Sequence, residues 1–373
     1  MNIAELLTDR REPMKELSSI VLVFIICACN QKQIEVNQKI TPRIITEPTR
    51  HDTDDPAIWI HPTEPAKSLI LGTDKNEDGA IYVYTLDGKI DTQKTVRELK
   101  RPNNVDIEYG FVLNGKEIDI AVTTERLTNK IRVFQLPDMT EIDRGGIEVF
   151  EEEKYRAPMG IALYKSPTDD LIYAIVGRKE GPTDGTYLWQ YQLFDDGTGA
   201  VRGKLVRKFG TWSGVKEIEA IAVDDVLGYV YYSDEGVGVR KYWADPEHEN
   251  ADNELALFAS ERFLEDQEGI SIYPIDDGTG YILVSDQSAN QIKIYKREGE
   301  SNDPHNHKLI KTVDLSTSNS DGSDVTNTAL NEIFPFGLFV AMSDDQTFQF
   351  YAWEDIAGDD LLIAPNGQRI SVK

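Results

Sequence analysis

Two settings recur along this chain, each met six times, and all but one of the twelve carry oxygen-bearing or cationic side chains. In the first, small, amide or acidic residues lead into an apolar run. These leads are Asp55-Pro56-Ala57-Ile58, Asn104-Val105-Asp106-Ile107, Pro158-Met159-Gly160-Ile161, Ile218-Glu219-Ala220-Ile221, Gln267-Glu268-Gly269-Ile270 and Gly322-Ser323-Asp324-Val325. In the second, an apolar run ends in polar residues. These endings are Thr73-Asp74-Lys75, Thr124-Glu125-Arg126, Arg178-Lys179-Glu180, Ser233-Asp234-Glu235, Ser285-Asp286-Gln287 and Ser343-Asp344-Asp345. Carboxylates gathered from such places can hold calcium, a hard cation that takes about six to eight oxygen ligands. A Glu inside an apolar strand, as at Glu219 and Glu268, is costly to bury alone, so a metal or cation beside it is the favoured reading. Other positions have plainer roles to weigh. Asp54 and Asp55 before Pro56 suit a turn. Lys179 and Glu180 suit an exposed ion pair of small energetic value. Asp224 and Asp225 read as turn residues facing solvent.

The elements that must position these residues are strands. Runs such as Leu69–Asp74, Ala80–Leu86, Leu171–Val176, Tyr229–Asp234 and Gln291–Arg297 are rich in Ile, Val, Tyr and Phe and are bounded by Gly, Asp, Asn and Pro. No stretch keeps a 3.6-residue apolar period over several turns. The unit recurs every 50 to 60 residues or so, about six times over. Strand repeats of that length predict an all-β, six-bladed β-propeller, each blade a four-stranded antiparallel sheet around a central channel. A segment near Ile40–Thr46 is expected to complete the last blade. Equivalent blade positions meet around one end of a channel, so acids far apart in sequence would converge. The EF-hand spacing is absent, and the two DDGTG runs (Asp195–Gly199 and Asp276–Gly280) read as hairpin turns.

The 373 residues carry a net charge of −26, which excludes nucleic acid as a partner. Cys27 and Cys29 are the only cysteines, so the body has no disulfide, thiolate metal site or catalytic Cys. Residues Ser18 to Cys29 read SSIVLVFIICAC, too short to span a bilayer and suited to the apolar core of an export signal. Ile26-Cys27-Ala28-Cys29 resembles a bacterial lipobox, with Cys29 as the lipid-bearing residue. The first thirteen residues fit a leader poorly, and Met14 is the expected start. The chain is therefore divided into residues 1–29 (signal), 30–48 (tether and possible closing strand) and 49–373 (propeller).

From about Asp52 to Ile356 the chain resembles the β-propeller (alkaline) phytases. The matching segments are DDPAIW (Asp54–Trp59), NNVDI (Asn103–Ile107), GRKEG (Gly177–Gly181), Glu217–Glu235, DQEGISIY (Asp266–Tyr273) and PFGLFVA (Pro335–Ala341). The resemblance implies several calcium ions at one channel mouth. It also implies hydrolysis of phosphate monoesters of phytate, myo-inositol hexakisphosphate, by direct attack of calcium-activated water. Carried over by position, Asp55, Glu180, Glu219, Glu235, Asp266 and Glu268 look like calcium and catalytic carboxylates. Asn103, Asp106, Gln287 and Asp321 or Asp324 look like further ligands or polar wall, and Lys75, Arg126 and Lys179 like phosphate-gripping cations. The resemblance breaks at Met159, where a phosphate-contacting Tyr is expected, at Asn76 in place of a second Lys, and at Ser343 in place of an Asp. A lactonase-like propeller hydrolase and a non-catalytic surface-binding propeller are the competing readings. A monomer is expected, tied to a bacterial membrane only through Cys29 and facing the periplasm or cell surface.

Overall fold

A computed structural model of the chain describes residues 39–261, 263–264 and 266–365. The expected signal, Cys29 and most of the tether lie outside these residues. The described strands form six antiparallel sheets. Their inner strands are Thr53–Trp59, Pro102–Leu113, Pro158–Lys165, Ile221–Asp224, Gln267–Pro274 and Ser323–Thr326. Each inner strand touches the next, and the last touches the first, so the sheets close into a ring. The result is the expected six-bladed propeller. Ile44–Ile45 pairs antiparallel with Thr347–Ala352 and becomes the outermost strand of the sixth sheet. One end of the described chain thus fastens the other, and the edge left on the sixth sheet is a short two-residue strand.

Strand periodicity explains the core. Successive side chains point to opposite faces, and each blade has a neighbour on both faces. A strand such as Leu69–Asp74 is therefore buried along its whole length. Leu69 and Leu71 pack toward blade two, with Val105 and Phe134. Ile70 packs toward blade six, with Val340 and Phe350. Six such apolar clusters fill the six junctions. Trp59, Trp189 and Trp353 lie in them. Trp243 does not: it stacks on His248 at 4.1 Å and tilts over Tyr229 at 4.7 Å, at the rim of its own blade.

The mouth of the channel, where the inner strands begin, is built by one device used six times. The residue following each second strand donates its N–H to the loop entering the same blade. The pairs are Lys75 to Asp52 O (2.8 Å), Arg126 to Arg101 O (3.0 Å), Lys179 to Ala157 O (2.8 Å), Glu235 to Glu217 O (3.3 Å), Gln287 to Asp266 O (3.3 Å) and Asp344 to Ser318 O (3.0 Å). The residue before it braces that loop. Asp74, Glu125, Asp234 and Asp286 accept N–H groups of Asp52, Lys100, Ser213 and Leu264. Arg178 reverses the polarity and donates to Tyr155 O, and the Ser343 hydroxyl accepts from Ser318 N–H. In blades three and six this alignment differs by one residue from the sequence repeat. Lys179 and Asp344 take the position of Lys75, and Glu180 falls one residue beyond it.

The first residues of the inner strands depart from simple alternation. The pairing register shifts between Thr53 and Pro56, Pro102 and Val105, Pro158 and Ile161, and Gln267 and Ile270. These are bulges at the same height in four blades. A bulge adds a residue and re-aims its neighbours, which lets consecutive residues such as Asp54 and Asp55 both serve the channel.

Asp224 and Asp225 are not solvent-facing turn residues. Asp224 is buried in a two-pronged ion pair with Arg297, at 2.6 and 2.7 Å. Asp225 accepts Lys165 N–H of the preceding blade at 3.0 Å. Both tie adjacent blades together, with Asp224 buried and Asp225 half-buried.

Candidate active site

Two sets of equivalent positions face the mouth. At the starts of the inner strands, or two residues ahead of them in blades four and six, stand Asp54, Asn103, Met159, Glu219, Glu268 and Asp321, in blade order. At the ends of the second strands stand Lys75, Arg126, Lys179, Glu235, Gln287 and Asp344. The second set divides in two. Three consecutive blades supply cations, and the next three supply oxygen donors.

Side-chain contacts knit the sets together. Lys75 Nζ lies 2.6 Å from Asp54 Oδ1 and 2.8 Å from Asp321 Oδ2. Asn103 Nδ2 donates to Asp54 Oδ2 at 2.8 Å and also to Glu219 Oε1. Gln287 Nε2 donates to Asp321 Oδ1. Lys179 pairs with Glu217, and Lys216 Nζ holds both oxygens of Asp266 at 2.5 and 2.6 Å. Carboxylate oxygens of Glu219, Glu235 and Glu268 lie within 4.8 Å of one another. Glycines permit these approaches. A methyl on Gly160 would strike the Glu219 carbonyl, and one on Gly322 would strike Asp55.

This crowding has an electrostatic cost. Burial, then repulsion from Glu219, Glu217 and Asp266, pushes the Glu235 carboxyl up to about 9. Burial and the charges of Glu235 and Glu219 raise Glu268 well above the usual carboxylate range. Burial raises Glu219 too, against the pull of Lys75. Burial works against the charge of Lys75, but Asp54, Glu219 and Asp321 outweigh it and its pKa rises. Burial lowers that of Arg126, whose guanidinium rests against the Met159 sulfur.

Three buried side chains aim unpartnered oxygens into the site: Asn103 Oδ1, Glu235 Oε1 and Glu268 Oε2. Such atoms are costly unless something meets them. The donors are carboxylate and amide oxygens with no His or Cys among them, the ligand chemistry of a hard cation such as calcium rather than zinc or copper.

A profile of the phytase family matches residues 15–360. The chain belongs to the phytase family. A curated relative, the 3-phytase of Bacillus subtilis (strain 168), is 31% identical over 340 residues, covering 86% of this chain and 85% of the relative.

Within this phytase the sequence-derived residues fall into three groups. Asn103, Glu219, Glu235, Asp266, Glu268, Gln287 and Asp321 gather at the mouth, with Lys75, Arg126 and Lys179 beside them. Asp55, Asp106 and Asp324 sit deeper, lining a channel cavity of about 160 Å³. Their carboxylates accept backbone N–H groups of the next blade, from Val105 (3.0 Å), Leu163 (2.7 Å) and Ile58 (2.8 Å). Burial raises Asp106 to about 6 and Asp324 to about 7. Glu180 stands apart. It is exposed, in a rim groove with Lys154, Tyr155 and Arg156, outside the three-glutamate cluster.

Sequence reasoning passed over Asp54, Lys216 and Glu217. Asp54, not Asp55, is the positional counterpart of Glu219 and Glu268. Its place depends on the bulge, for which the sequence carries no local signal. Lys216 and Glu217 lie in a loop, where no period marks which side chains turn inward.

Proposed function

We propose that this phytase releases phosphate from phytate, that it does so only with calcium bound, and that the acidic half of the mouth holds the calcium. The observation that carries this reading is the division of equivalent positions into Lys75, Arg126 and Lys179 on three blades and Glu235, Gln287 and Asp344 on the next three. A densely anionic substrate needs cations to grip it. An acidic surface would otherwise repel it. Bound calcium supplies the positive charge that reverses this repulsion, together with Lewis acidity toward phosphate oxygens and water.

The chain's own residues have separable tasks in this reading. Glu219, Glu235, Glu268 and Asp266 are the main ligands, with Asn103, Gln287, Asp321 and Asp54 completing or orienting them. Arg126 offers a planar fork to two phosphate oxygens, whereas Lys75 and Lys179 act as point charges. Met159 offers no hard donor, so blade three serves the substrate rather than the metal. Asp55, Asp106 and Asp324 are channel carboxylates that couple the blades, and they are candidate ligands for a further ion.

The test is phosphate release near neutral pH after chelation and again after calcium is restored, with a sugar lactone offered in parallel. Phosphate release that vanishes and returns supports the reading. Lactone opening without phosphate release overturns it.

We also propose export and lipid attachment at Cys29 on a bacterial membrane, on the strength of the SSIVLVFIICAC run alone. Radiolabelled palmitate should enter the wild type and not Cys29→Ala. Equal labelling of both would contradict the anchor.

A further inference from the structure

Lys216 belongs to none of the equivalent sets, yet it makes the closest two-pronged ion pair at the mouth. It stands on the loop entering blade four, and Asp266 stands on the loop entering blade five. The Lys216 backbone is fixed. Its carbonyl accepts the Trp212 indole N–H at 2.5 Å, and Trp212 tilts over Tyr187 at 4.9 Å. Ser213 in the same loop donates to Asp234 through both its N–H (3.0 Å) and its hydroxyl (2.7 Å). The side chain is different in kind: 45% of it is exposed, against 11% for Asp266. A flexible four-carbon stem on a fixed base can swing without moving the loop.

The pairing has a consequence for the calcium reading above, on which this inference rests. Lys216 Nζ contacts both Asp266 oxygens, so an ammonium stands where a metal ligand must offer an oxygen. A calcium ion at Asp266 and an ammonium on the same two oxygens repel each other at contact range. One must yield, and the mobile, half-exposed ammonium is the one that can. Glu217, next in sequence, holds Lys179. A phosphate oxygen of a substrate held at the mouth offers the displaced ammonium an anionic partner.

We propose that Lys216 is a displaceable counter-ion. It competes with calcium for Asp266, and once displaced it turns to a phosphate group of the substrate. Lys216 is thus a positioning residue that couples metal loading to anion binding, with one charge serving two partners in turn. Calcium would be admitted more readily if Lys216 were absent, and the anion held less firmly.

Calorimetric calcium titration of the chelator-treated full chain tests this, on the wild type, Lys216→Met and Lys308→Met. The last removes an equal charge from an exposed pair with Glu300, remote from the mouth. The expected result is calcium affinity about tenfold tighter in K216M, equivalent to about 1.4 kcal/mol, with K308M within about twofold of wild type. At saturating calcium, inositol hexakissulfate, an uncleavable polyanion, should bind K216M several-fold more weakly than wild type. Unchanged or weaker calcium affinity in K216M, equal tightening in K308M, or unchanged hexakissulfate affinity would each overturn the proposal. A wild type that binds no calcium would instead overturn the calcium reading itself, so the two failures are distinguishable.

Discussion

Glu235→Gln should make the chelated protein more stable at pH 8 and, in the same molecule, remove most of its calcium-dependent phosphate release. Glu235 is 3% exposed. Burial and its acidic neighbours raise its carboxyl to about 9, from the ordinary value of 4.5. Between those two values the unfolded chain has released a proton that the folded chain still holds. Stability therefore falls as pH rises through that window. Gln has no proton to lose and escapes this penalty. It also removes a negative charge from the three-glutamate cluster, the proposed calcium site. A loss of about a hundredfold or more is expected, about 3 kcal/mol of barrier. Melting temperatures with chelator at pH 5 and pH 8, beside phosphate release at saturating calcium, check both halves. A variant that is less stable at pH 8, or fully active, would contradict the assignment.

Lys75→Met is expected to have the opposite signature. Lys75 is the shared cation of Asp54 and Asp321, and Asp54 is 1% exposed. Removing one partner of a buried ion pair leaves an uncompensated charge, a loss of about 3–5 kcal/mol. Calcium at the mouth, as proposed, would supply positive charge to the same acids, so its addition should restore much of the lost stability. It should not restore tight substrate binding, because the variant lacks one of the three cations proposed to grip phosphate. Denaturant unfolding with and without calcium, together with the KM for phytate, separates these effects. Equal destabilisation with and without calcium would show that Lys75 is only a structural pin.

The propeller and the height of the site in each blade were legible in the sequence, because strands alternate with a fixed period and the polar endings recur with it. The residues Thr73-Asp74-Lys75 and Ser233-Asp234-Glu235 carry their roles on their face: anchor, brace and mouth residue. What the sequence could not show follows from register. A one-residue bulge makes Asp54 the counterpart of Glu219. A one-residue offset in blade three puts Lys179, not Glu180, at the mouth. Periodicity reports which residues alternate, not where a strand admits an extra one. The charge exchanges of Lys216 and Glu217 were hidden for another reason. They connect loops of different blades, and a loop side chain takes its direction from its tertiary neighbours.

The central claim is that the acidic mouth must carry calcium before it can hold its substrate. Equilibrium binding of inositol hexakissulfate to the wild-type protein, with chelator and then with calcium, tests it most directly. No measurable binding is expected with chelator, and saturable binding once calcium is restored. Equal affinity under both conditions would mean that Lys75, Arg126 and Lys179 grip the polyanion unaided, and would contradict it.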